Sequence, residues 1–63
     1  MEEMRENVER AITLEIEIWK PEFPVHKQQA LREELLEQYD KDVNDGFSPG
    51  EALEEALFKI RTQ

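Results

Sequence analysis

Two breaks decide what this chain can build. "KPEFP" at 20–24 carries two prolines, and "GFSPG" at 46–50 carries two glycines and a third proline. Proline removes a backbone donor and disfavours the helical conformation of the residue before it. Glycine reaches backbone angles that other residues avoid. Three short segments remain between the breaks. A chain of 63 residues holds one domain, and a core of that size supplies only about 3–5 kcal/mol of net stability. There is no cysteine, so no disulfide or zinc–thiolate site can add to it. A partner chain is then the economical source of further stability.

The first segment, "EEMRENVERAITLEIEIW" (2–19), reads two ways. On a helical period Met4, Val8, Ala11, Ile12, Ile16 and Trp19 share one broad face. Leu14 and Ile18 widen it, and Glu15 falls near its middle. The same letters also alternate, with Ile12, Leu14, Ile16 and Ile18 set against Thr13, Glu15 and Glu17 in the manner of a β-strand. A lone strand needs a partner, and no second candidate exists, so a strand at 12–18 would pair between chains. The helix-forming residues before it favour one continuous helix, with the paired strand as the alternative.

The second segment, from about Val25 to Asp45, repeats Leu31, Leu35, Tyr39 and Val43 every four residues, flanked by Ala30 and Leu36. Pro24 suits its entry. The third, from Pro49 to about Arg61, carries Leu53, Ala56, Leu57 and Ile60 on one face and Phe58 on the other. Between the first two, "WKPEFP" (19–24) reads as a rigid connection whose Trp19 and Phe23 close the end of the core, although Pro21 and Pro24 also have PxxP spacing. The expected fold is all-α: helix, linker at 20–24, helix, turn at 46–48 and helix, in a single small domain that dimerises.

"DKDVNDGFSPGE" (40–51) invites a metal reading. Calcium loops place oxygen ligands at positions 1, 3, 5, 7, 9 and 12, here Asp40, Asp42, Asn44, the Gly46 carbonyl, Ser48 and Glu51. Over residues 39–53 the chain resembles the EF-hand family, and that resemblance implies a weak calcium-binding helix–loop–helix. The family's turn-making glycine is replaced by Asp45, with Gly46 one place late. The alternative is a capped turn. Gly46 then ends one helix, Ser48 caps the next, Pro49 is its first residue, Glu51 completes a capping box and Phe47 packs as a staple. The capped turn accounts for more of these residues, and neither a metal nor a cofactor is expected.

Two further resemblances bear on function. With a strand at 12–18, the order strand, helix, Gly-x-Ser turn and helix looks like the ribbon–helix–helix repressors and antitoxins. That likeness implies DNA reading by Thr13, Glu15 and Glu17. Separately, "GFSPGEALEEAL" (46–57) is similar to the Gly-Phe loop and following helix of ubiquitin-associated domains.

Charge is the strongest functional signal. The net charge is −8, and its whole excess lies between residues 33 and 55. That stretch holds Glu33, Glu34, Glu37, Asp40, Asp42, Asp45, Glu51, Glu54 and Glu55 against Lys41 alone, and elsewhere acids and bases are equal in number. Such a surface repels phosphate backbones and attracts basic partners. Nucleic acid is therefore not an expected partner. No apolar run is long enough to span a bilayer, and the acidic start does not resemble a signal peptide, which points to a cytoplasmic protein without a membrane role. The single serine, Ser48, suits a cap, the single histidine, His26, has no second ligand, and no phosphate loop is present. A non-enzymatic protein is expected. It is read as a small regulator or inhibitor that meets a basic protein through Glu33, Glu34, Glu37, Asp40, Asp42, Glu54, Glu55 and Phe58. Self-association is assigned to Val8, Ile12, Leu14, Ile16, Ile18 and Trp19.

Overall fold

The structure is a computed structural model. It describes the backbone of residues 2–62 and the side chains of residues 5–62, so the place expected for Met4 lies outside the described side chains. Three helices follow one another, α1 (Glu2–Trp19), α2 (Val25–Asn44) and α3 (Pro49–Thr62). All three pairs of helices are in contact. No strand occurs among the described residues, and no described helix is long and apolar enough to cross a membrane.

Burial settles the double reading of α1. In a strand, residues 12, 14, 16 and 18 would share one face. Instead Ile12 and Ile16 are 0% and 2% exposed, whereas Leu14 and Ile18 are 56% and 66% exposed. That split follows the four-residue spacing of a helix. The strand at 12–18 is therefore replaced by helix, and the inter-chain ribbon of a ribbon–helix–helix protein goes with it. The β-branched residues that suggested a strand are tolerated because Val8, Ile12 and Ile16 are buried together in the core. Burying each such side chain stabilises the fold by about 1.5–3 kcal/mol.

Around that row pack Leu31, Leu35, Leu36 and Tyr39 of α2 and Ala52, Ala56 and Ile60 of α3, with Phe23, Leu53 and Leu57 partly buried at the margin. Small residues at 52 and 56, one turn apart, let neighbouring backbones approach α3 closely. Two expectations change here. Ala30 and Val43 are exposed, and the buried row of α2 ends instead on Asp42.

The connections behave as their chemistry requires. The Lys20 N–H still donates to the Ile16 carbonyl at 2.8 Å, and Pro21 then stops α1. Gln28 Nε2 donates to the Phe23 carbonyl at 3.1 Å, fixing the linker to α2. Phe23 helps close the core as expected, but Trp19 is about half exposed and lies outside it. At the other end Gly46 takes a φ of 108°, which other residues avoid. The Phe47 N–H donates to the Asp42 carbonyl at 3.0 Å and the Gly46 N–H to the Val43 carbonyl at 3.2 Å. That pair of bonds is a Schellman closure. The Glu51 N–H then donates to Ser48 Oγ at 3.2 Å, and the Ser48 hydroxyl to Glu51 Oε1 at 3.1 Å, starting α3.

Candidate protein-interaction surface

The acids of residues 33–55 do not form one surface. Asp42 is only 7% exposed, and its Oδ1 accepts a hydrogen bond from Gln38 Nε2 at 3.0 Å. It is part of the structure of α2 and is withdrawn from any partner surface. Asp40 is exposed but engaged, with Arg5 Nη1 donating to Asp40 Oδ1. That hydrogen bond is the main reason the Arg5 guanidinium is held above its ordinary, already high, pKa. Glu33, Glu34, Glu37, Asp45, Glu51, Glu54 and Glu55 remain exposed. None of these forms an ion pair among the described residues.

They fall into separate neighbourhoods. Glu33, Glu37 and Asp40 line an open groove between α1 and α2 together with Arg5, Glu9 and Arg32. Two arginines in that groove offset much of its charge. Glu51, Glu54 and Glu55 line a different groove on the outer face of α3, with Phe47, Leu57, Phe58 and Arg61. Its one base is already occupied, because Arg61 Nε donates to Glu15 Oε2 at 3.1 Å and the guanidinium lies 5.9 Å from the Trp19 ring centre. Both grooves carry more acids than bases, and the α3 groove, with Phe47, Leu57 and Phe58 in its lining, is the more apolar. Phe58, pointing away from the core, is 62% exposed.

The loop that resembled a calcium site is organised by protein contacts. Asp40 turns to Arg5, Asp42 to Gln38, and Ser48 and Glu51 to each other. No group of three or more His, Cys, Asp or Glu side chains is placed to hold a metal ion among the described residues. Orientation of the two carboxylates that open the motif, Asp40 and Asp42, is accounted for by these bonds. The cost of acids near the negative end of α2 is offset in the same way.

The residues assigned to self-association divide as well. Val8, Ile12 and Ile16 lie in the chain's own core and are not available to a second copy. Leu14, Ile18 and Trp19 are exposed. Leu14 and Ile18 stand one turn apart on the side of α1 away from the core. Phe47, Leu57 and Arg61 are not assigned to a surface by the sequence, and Glu51 enters only as a member of the acidic 33–55 stretch. Phe47 and Glu51 had local roles in the turn, and Leu57 belonged to an apolar stripe. Glu54, Glu55 and Phe58, assigned to a partner from the sequence, all line this groove.

Compared with known proteins, the chain matches no family model, no curated protein and no solved structure.

Proposed function

We propose that this protein is a small, non-enzymatic binding regulator or inhibitor that works in the cytoplasm by engaging a positively charged protein. The observation that carries the reading is the set of exposed acids on α2 and α3 that pair with no base among the described residues. Exposed, unpaired carboxylates, here in two neighbourhoods, raise the local concentration of basic partners and speed their association. A nucleic-acid-binding protein presents such a basic surface, and evenly spread carboxylates can take the place of phosphates there. A homodimer formed through Leu14 and Ile18 on α1 is compatible with this role, since it leaves α3 uncovered.

The experiment is an affinity capture with the full chain as bait, at low and at high salt, beside a Glu33→Gln, Glu37→Gln, Glu54→Gln, Glu55→Gln variant. Recovery of a basic protein at low salt, lost at high salt and lost with the variant, is the expected result. Unchanged capture by the variant would overturn the reading.

A further inference from the structure

We propose that the outer groove of α3 is a docking site for a positively charged amphipathic helix of another protein. Its aliphatic anchors would sit against Phe47, Leu57 and Phe58, and its lysines or arginines against Glu51, Glu54 and Glu55. The inference rests on the reading of the protein as a binder of basic partners, and narrows it to one face and one kind of segment.

Charge alone does not select this groove, because Glu33 and Glu37 are equally exposed. The apolar component does. Phe47 is about half exposed and Phe58 62% exposed on the same groove that carries three carboxylates. Neither phenylalanine ring contributes to the buried core. Aromatic rings left in water and bordered by charged side chains are the arrangement expected of an interaction surface. The groove extends along α3 from Glu51 to Arg61, about 15 Å at roughly 1.5 Å per residue. That length matches about three turns of a partner helix, which would present anchors at i, i+4 and i+7 with bases on both flanks.

Other occupants fit less well. Phosphate backbones and acidic peptides are repelled by Glu51, Glu54 and Glu55. A second copy docked face to face about a twofold axis would set the same three glutamates against their own images. Arg61, the one base lining the groove, is engaged by Glu15 and the Trp19 ring rather than by the three glutamates.

The test uses the full chain and a synthetic peptide of about fourteen residues, roughly four helical turns, with leucine on one helical face and lysine elsewhere. Trp19 is the chain's single tryptophan and touches the groove through Arg61. Its fluorescence follows the titration, and calorimetry measures the affinity independently. The expected result is binding that weakens about tenfold or more in Phe58→Ala. Glu54→Gln with Glu55→Gln should weaken it several-fold and flatten its salt dependence. A scrambled peptide of the same composition, lacking an apolar face, should bind about tenfold more weakly than the amphipathic one. Circular dichroism confirms that each variant is folded, which the exposure of these side chains favours. If Phe58→Ala and Phe47→Ala leave affinity within about twofold, or the scrambled peptide binds equally well, the docking site is wrong while charge-based binding stands. If neither peptide binds even at low salt, both readings fall.

Discussion

Arg61, in the last turn of α3, is tied to Glu15 in the middle of α1, with Nε to Oε2 at 3.1 Å. The contact joins the helices most distant in sequence and explains how a carboxylate can sit close to the apolar face of α1. The Arg61 side chain is half exposed and that of Glu15 is 19% exposed, so solvent still reaches the pair and its contribution is about 0–1 kcal/mol, while the Arg61 contact with the Trp19 ring adds about 0.5–1 kcal/mol. Arg61→Gln should therefore lower stability by about 1 kcal/mol and alter Trp19 emission in the folded state. Urea unfolding followed by that emission checks both. A loss above about 3 kcal/mol would mean that Arg61 does more than bridge a surface.

The α2–α3 turn depends on two residues for different reasons. Ser48→Ala removes the acceptor for the Glu51 N–H and should cost about 1 kcal/mol. At Gly46 an added Cβ would meet no atom within 4 Å, so space is not the obstacle. The obstacle is the backbone angle, and Gly46→Ala should cost about 1 kcal/mol or more. Denaturant melts of the two single variants decide it, and an unchanged Gly46→Ala midpoint would refute the argument from backbone angle.

Gln38 and Asp42 form a hydrogen bond that reaches into the interior from the edge of α2. Gln38→Ala would leave the buried carboxylate without its side-chain donor, at a cost of about 1–3 kcal/mol. Asp42→Asn keeps an accepting oxygen and removes a negative charge near the helix C-terminus, so it should be much milder. Thermal unfolding of both variants tests the ordering; equal losses would show that the hydrogen bond is not what matters.

Ile18→Lys probes self-association without touching the core, because Ile18 is 66% exposed. Sedimentation equilibrium of the parent chain should show a dimer that the substitution converts to monomer with its helicity retained. A parent that is monomeric at all accessible concentrations would remove the α1 interface.

The helices were legible in the letters because their punctuation is local. Pro21, Pro24, Gly46, Ser48 and Pro49 act on their immediate neighbours, and nothing distant overrides them. The first helix was harder, since Ile12 and Leu14 carry the same hydrophobic signal yet end on opposite sides of α1. Only packing against α2 and α3 tells them apart. Surface charge is ambiguous in the letters for the same reason. Asp42 looks identical to Asp40 in sequence, but one is buried beside Gln38 and the other meets Arg5, thirty-five positions away. The division of the acids between two grooves depends on where α1 lies, which no short stretch encodes.

The double closure at Gly46 and Ser48 has a consequence for recognition. Because the Asp42 and Val43 carbonyls at the end of α2 and the Glu51 N–H at the start of α3 are bonded within a few residues, the elbow is held at both ends. Phe47 sits inside that elbow, so its backbone is already ordered before any partner arrives. A partner seated on α3 would then forfeit little conformational entropy in organising this end of its site, and more of its contact energy would appear as affinity. The turn that looked like a metal loop is, on this account, a device of preorganisation.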